Sequence, residues 1–572
     1  MGRMNDAATT CMEPPAGGPA APPLTAPAPR RAALGVAALV VYGLCLHVPF
    51  LGAWPLGSHE ALAAQRACEM TTVGGWLVPH LQGEPDFRKP PLPFWFSGGL
   101  AALAGAMDEW TARLPSVAAS LGTMLVLVFW MRRLTGWRSA LATGFAFVTS
   151  GGALVWSRRA EVDMQLCFWT TASMAAFWLA MEEPSRRRQI FLALAMWVSL
   201  AAAVLTKGPL PVAMVAVSVA AAAILDPQRR RAAGLLPLAG PLVFLAALAP
   251  WAVAVVVRYP EAASQWYEQS LGRYAGDLGH EKPVYFYALE TPLLWLPWLL
   301  PLTVGVWLAL RRRALTAWTA ALLLAWGVGG LAILSLGSGK RLHYALPALP
   351  PMMMFAGLGL ERLLRPPRPL AGVWRWGAGL HASVVPAALA AGLVAAWWMP
   401  ERGPSLAALG VLAAAGLGLV LLLYLRGRAM VALGVLAVSM LAALTFANGA
   451  VLGPLLTQEA TEAAIGRCVA RAATRPGGMA FYRHAEPRVV FYAGRFAPVL
   501  TEPAQVAAWR ARVPGGYLVV PQVERAQVET IGKWREVLPG AGADRFVSRD
   551  TILLRAVGSP ETEPGRPART AS

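Results

Sequence analysis

A chain of 572 residues with 56% hydrophobic and 14% charged side chains has too little polar surface to fold as a soluble globule, so its composition excludes the water-soluble classes and implies a polytopic membrane protein. The formal charge of +19 would suit nucleic-acid binding in a soluble protein, but here the basic residues are spaced as topology signals.

Residues 1–32 are rich in Ala and Pro, carry no apolar core and end on Arg30-Arg31, which predicts a disordered cytoplasmic extension rather than a signal peptide. The first span then acts as an uncleaved anchor. Further arginine clusters follow at Arg132-Arg133, Arg186 to Arg188, Arg229 to Arg231, Arg311 to Arg313, Arg362 to Arg375 and Arg426 to Arg428. Between successive clusters lie two apolar runs, each about the 20 residues a helix needs to cross hydrocarbon. With every cluster cytoplasmic, the predicted spans are 33–51, 113–131, 138–157, 164–181, 190–206, 209–226, 234–257, 291–310, 315–336, 344–363, 377–398, 405–425 and 430–452. Thirteen spans that start inside end outside.

The two longest segments outside these spans, 52–112 and 258–290, therefore share the outer face. The apolar run Leu92 to Met107 within the first is too short to cross and predicts an interfacial or re-entrant helix. After the last span, residues 453–557 alternate short apolar runs (GMAFY, VVFYAG, GYLVV, DTILL) with helix-like stretches (PAQVAAWRARV, QVERAQVETIG), the pattern of a small extracytoplasmic α/β domain. Residues 558–572 form a solvated tail. No GxGxxG loop and no fixed-period repeat occurs. The five cysteines show no CxxC spacing, and a Cys68–Cys468 bridge is the one pairing to consider.

The outer segments hold the uncommon polar residues. Glu60 sits at the exit of the first span, and Glu161 and Asp163 at the exit of the third. A single such acid is commonly a hydrated helix end, but several converging with cations would mark a functional cleft. The cations are Lys89, Arg158, Arg159, Lys207, Arg273, Lys340 and Arg341, all against the positive-inside trend. Snorkelling to head groups competes with a shared anionic ligand, for which Lys and Arg suit phosphate. Lys89 and Lys207 each precede a proline or Gly-Pro break that would hold the side chain in place. His59, His80, His280 and His343 lie on the same face; His80 and His280 with a carboxylate would be possible ligands of a divalent metal, though no HxH or HExxH spacing supports this.

The ordered motifs SHEALAAQRACEM, GGWLVPHLQGEPDFRKPPLPFW, EWTARLPSV, RRAEVD, LTKGPL, APW and GSGKRLHYALPALPP resemble the bacterial ArnT-type, aminoarabinose transferase-like glycosyltransferases, relatives of the protein O-mannosyltransferases in the GT-C superfamily. The resemblance covers residues from about 33 to 365. It implies a GT-C fold and, on the outer face of the bacterial inner membrane, inverting transfer of a sugar from a polyprenyl-phosphate donor to an acceptor that is lipid A, protein or glycan. On this resemblance Glu60, Asp163 and His59 are the expected catalytic residues, with Glu60 favoured as base. Lys89 and Arg273 are the expected donor-phosphate ligands, with Lys207, Lys340, Arg159 and His343 nearby. Three positions depart from the family's pattern: its Asp-Glu pair reads His59-Glu60, its Glu before Lys-Pro is Arg88, and an arginine following the acidic pair is Leu62. A lipid or solute transporter, or a non-catalytic scaffold, are the competing classes; transporters commonly show internal repeats and broken midplane helices, which favours the enzyme here.

Overall fold

The computed structural model describes residues 29–225, 239–268, 282–365, 371–400, 403–452, 457–473, 475, 477–537 and 550–557. Helix α1 (Pro29–His47) leads through a turn-rich segment into α2 (Ser58–Glu69), a short antiparallel hairpin of β1 (His80–Leu81) and β2 (Glu84–Pro85), and α3 (Leu92–Ala104). There follow α4 (Glu109–Thr135), α5 (Trp137–Val148), α6 (Gly151–Trp156), α7 (Asp163–Glu182), α8 (Arg186–Lys207) and α9 (Leu210–Leu225). Among the described residues, seven helices are long and apolar enough to cross a membrane, or eight if one bent pair is a single span; the thirteen-span count stays an expectation.

Several expected spans are interrupted, each for a local reason. The predicted span 138–157 breaks at Thr149 and Ser150, where the Ser150 hydroxyl caps α6 by accepting from Ala153 N–H. The predicted span 291–310 is two helices, Phe286–Trp295 and Leu299–Arg311, at 103° to one another. Pro297 lacks an N–H for the helical ladder, and Leu296 before it is extended at ψ 142°. The run Leu92 to Met107 is helical over α3, 13 residues, too few to cross.

α4 packs on α5 and α7, and α7 on α8, around a core that includes Met124, Trp130, Phe147 and Phe355. The helix Leu299–Arg311 lies on Leu349–Leu364 at close range, because Gly305 and Gly359 face each other; a Cβ on Gly305 would collide with the Phe355 carbonyl.

The C-terminal unit is a five-stranded sheet in the order β4 (Val499–Leu500), β3 (Met479–Tyr482), β5 (Tyr517–Pro521), β7 (Thr551–Ala556), β6 (Trp534–Glu536). β3 is parallel to β4 and β5, and β7 is antiparallel to β5 and β6. Both faces are covered, one with Ile465, Val489 and Val490 and the other with Val506, Trp509 and Val528. Of the apolar runs taken from sequence, VVFYAG forms the helix Pro487–Ala493 and not a strand. Pro487 starts it and Gly494, at φ 62°, ends it. Cys68 and Cys468 are both free thiols, so the considered bridge is absent.

Candidate active site

α2 forms because Ala-rich EALAAQRA has high helix propensity and the Glu60 carboxylate turns back to accept from Gly57 N–H at 2.9 Å. Glu60 is 6% exposed and its carboxylate is fully committed. Its Oε1 accepts from Arg113 Nε at 2.8 Å and Ala160 N–H at 2.8 Å, and its Oε2 from Arg113 Nη2 at 3.0 Å and Gly57 N–H. Four donors fill the roughly four lone-pair directions a carboxylate offers. Burial alone would raise the Glu60 carboxyl, but Arg113 and the two backbone N–H groups hold it below the usual carboxylate range. Glu60, expected as base, is thus the centre of a buried knot. Arg113 extends this knot by donating to the carbonyls of Leu51, Trp54 and Pro55.

His59, the neighbouring residue, points elsewhere. Arg341 Nη1 lies 2.8 Å from His59 Nε2, and since guanidinium only donates, Nε2 is the acceptor and the ring is neutral with its proton on Nδ1. Burial, then the charges of Arg341, Lys89, Arg159 and Arg66, lower the His59 pKa.

At the start of α7, Asp163 is buried and its Oδ1 pairs with the Lys207 ammonium from the end of α8. The ammonium also lies 4.1 Å from the Tyr344 ring centroid. Glu161, Asp163 and His343 bring their ligand atoms within 4.8 Å of one another. Burial pushes His343 down to about 4, and burial with the charge of Asp163 raises the Glu161 carboxyl. Two carboxylates and a neutral imidazole suit a divalent cation chemically. Lys207 pairs with one oxygen of Asp163 and Arg159 with one oxygen of Glu161 at 3.3 Å, which leaves each acid a second oxygen that could take a cation together with His343.

Lys89 lies close enough to His59 and Asp163 to act on the charge of both. Its loop is anchored by Asp86, which accepts from Arg66 Nη2 at 2.7 Å and from Arg88 Nη2 at 2.8 Å. Arg88, where the family pattern has Glu, is thus an internal partner of Asp86. Lys340 is 5% exposed and donates to the Lys282 carbonyl at 2.9 Å. His80 is buried, its Nδ1 2.9 Å from the Val78 carbonyl, and the acid–histidine cluster found among the described residues does not include it. Arg273 and His280 lie outside the described residues.

The structure brings His59, Lys89, Asp163, Lys207, Arg159 and His343 near one another, with Glu60 tied to Arg113 beside them. Sequence reasoning missed Arg113 and Tyr344. The one signal for Arg113 was a lone arginine at the start of a long apolar run.

Residues 54–264 match the family described as dolichyl-phosphate-mannose-protein mannosyltransferase. The chain is similar to the undecaprenyl phosphate-alpha-4-amino-4-deoxy-L-arabinose arabinosyl transferases of Pseudomonas aeruginosa, 31% identical over 343 residues, and Aeromonas salmonicida, 29% identical over 335. These matches take in 57% of this chain and 59% and 60% of those relatives, so the chain spans less than two thirds of their length. In fold it is similar to ArnT from Cupriavidus metallidurans in a crystal structure bound to undecaprenyl phosphate, with a TM-score of 0.75, 21% identity, and coverage of 93% of this chain and 99% of that one. It is more distantly similar to the Archaeoglobus fulgidus oligosaccharyltransferase, with a TM-score of 0.52 and 10% identity over 92% of this chain and 76% of that one.

Proposed function

We propose, for a multi-pass membrane protein that resembles the ArnT-type transferases in sequence and shares their GT-C fold, that this chain moves a sugar from a polyprenyl-phosphate donor to an acceptor on the outer face of the cytoplasmic membrane. The observation that carries this reading is the gathering of Lys89, Lys207, Arg159 and Arg341 around Asp163 and His59, from segments distant in sequence. Such a set suits a reaction whose leaving group gains negative charge.

In a single displacement, the acceptor oxygen attacks the anomeric carbon and the carbon–oxygen bond to phosphate breaks, leaving its electron pair on the phosphate. The phosphodiester donor becomes a monoester with one further negative charge. Lys89, Lys207 and Arg341 stabilise that charge, with Arg273 as a further ligand, and little general-acid help is needed. The acceptor's proton passes to His59 or Asp163. Glu60 serves by holding Arg113 and Ala160 in place.

The topology that goes with this reading has a cytoplasmic extension 1–32, a membrane domain 33–452, an extracytoplasmic α/β domain 453–557 and a tail 558–572. The acceptor class is lipid A, protein or glycan.

The test is release of free polyprenyl phosphate from a labelled lipid-linked sugar by membranes carrying the wild type or Lys89→Ala, Lys207→Ala, Asp163→Asn or His59→Ala. Removing a charge-assisted phosphate contact is expected to weaken donor binding ten- to a hundredfold, roughly 1.5–3 kcal/mol. Turnover that survives all four substitutions would sink the assignment of this cleft.

A further inference from the structure

We infer that the C-terminal unit is part of the transfer site, and that Tyr492 is its positioning residue, fixing the segment that leads into α2 and with it His59. This rests on the transfer reading above and assigns the C-terminal unit a task within it.

Segment 51–57 leads directly into α2 and, besides its local backbone turns, is held by side chains at three places. Arg113 takes the carbonyls of Leu51, Trp54 and Pro55, and Glu60 takes Gly57 N–H. The third hold comes from 436 residues away: Leu56 N–H donates to the Tyr492 hydroxyl at 2.8 Å. That hydroxyl donates in turn to Glu109 Oε1 at 2.8 Å, at the start of α4. Arg467, on the helix Thr457–Ala472, closes the group by reaching Glu109 at 3.0 Å while its guanidinium lies 4.5 Å from the Tyr492 ring centroid.

Packing repeats the same attachment. Phe491 lies against the cluster of Leu56, Ala61, Ala64, Ala112 and Ala160, which joins the entry segment, α2, α4 and the residue preceding Glu161. Gly466 lets the Thr457–Ala472 helix run against Tyr492, since a Cβ there would fall 2.7 Å from Tyr492 Cβ. Burial raises the Tyr492 pKa, keeping the phenol protonated and able to donate to Glu109 while it accepts from Leu56.

The consequence is mechanical. Arg113 and Glu60 can tie the segment to α4 and to Ala160, but among the described residues the hydrogen bond to Leu56 N–H comes from the C-terminal unit. Without it the turn into α2 is released on one side, and the first side chain beyond the cap that reaches the cleft is His59, facing Arg341. Loss of this half-buried hydroxyl then acts through geometry, for which misplacement by about 1 Å lowers a rate by up to a hundredfold.

Tyr492→Phe keeps the ring and removes the hydroxyl. In the full chain, its kcat for release of undecaprenyl phosphate is expected to fall about ten- to a hundredfold with the donor KM unchanged. Labelling with diethyl pyrocarbonate, read residue by residue by mass spectrometry, supplies a measure independent of turnover. His59 is expected to react faster in Tyr492→Phe than in the wild type, with the exposed His484 on the same unit unchanged. Arg467→Gln, which leaves the hydroxyl in place, is expected to give a smaller rise. Unchanged kcat and unchanged His59 labelling would overturn the proposal, as would an equal rise at His484, which marks loss of fold instead of loss of position. If the wild type releases no undecaprenyl phosphate while His59 labelling still responds to Tyr492→Phe, the transfer reading fails and the attachment itself stands.

Discussion

Replacing Glu60 with glutamine isolates the difference between a buried strut and a base. The carboxylate accepts four hydrogen bonds, two of them from Arg113, and both side chains are 7% exposed. A glutamine oxygen can accept two of these donors, while its NH2 turns two hydrogens toward groups that also donate, so half the contacts become donor against donor. The Arg113 charge is then left in a dry site without its counter-ion. Breaking a buried pair by removing one partner costs about 3–5 kcal/mol, a large share of the ~5–15 kcal/mol that separates a native protein from its unfolded state. The assay is a heat-unfolding midpoint for purified protein in lipid nanodiscs, run for Glu60→Gln, Arg113→Gln and the double variant. Each single change is expected to lower the midpoint strongly, and the double variant to lose less than the two losses added, because no lone buried charge remains. A Glu60→Gln protein as heat-stable as the wild type yet unable to turn over donor would refute this reasoning and return Glu60 to the role of proton acceptor.

Two further expectations concern pH. If His59 takes the acceptor's proton, the rate is lost as pH falls through its folded pKa, which burial and the charges of Arg341, Lys89, Arg159 and Arg66 hold below the ordinary value of 6.5. The acid limb of kcat/KM should therefore lie below about 6.5 and move upward in Arg341→Gln, and an acid limb indifferent to that change would remove His59 from the step. In the C-terminal unit, burial and then the neighbouring Glu486 raise Glu462 to about 7, despite its pairing with Arg488 and a hydrogen bond from Thr551. The folded form then holds a proton that the unfolded chain has lost above its ordinary 4.5, so this contribution is full below that value and disappears as pH rises through about 7. The unfolding midpoint of the C-terminal unit is expected to rise on acidification from pH 8 to 5.5, and Glu462→Gln to flatten that dependence.

How much of this was legible in the chain divides along physical lines. Helix α4, the spans near 190–206 and 405–425, and the short apolar α3 followed from composition and run length, since hydrophobic length is a local property and the membrane sets the threshold. His59, Lys89, Asp163 and Lys207 could be nominated because ionisable residues next to apolar runs, or held beside a proline or Gly-Pro break, are costly unless they have a task. What each does could not be read there. Glu60 and Asp163 look alike in sequence, both acids at the end of an apolar run. One is enclosed by Arg113, 53 residues on, and the other pairs with Lys207, 44 residues on. The VVFYAG run, strand-like by composition, is a helix because Pro487 and Gly494 bracket it, and the hydroxyl of its tyrosine meets Leu56 across 436 residues. Membrane class and helix placement come from the solvent preference of contiguous residues, which sequence alone determines. The different surroundings of the two acids depend on which donors reach each carboxylate, and those donors arrive from segments brought together only by long-range packing.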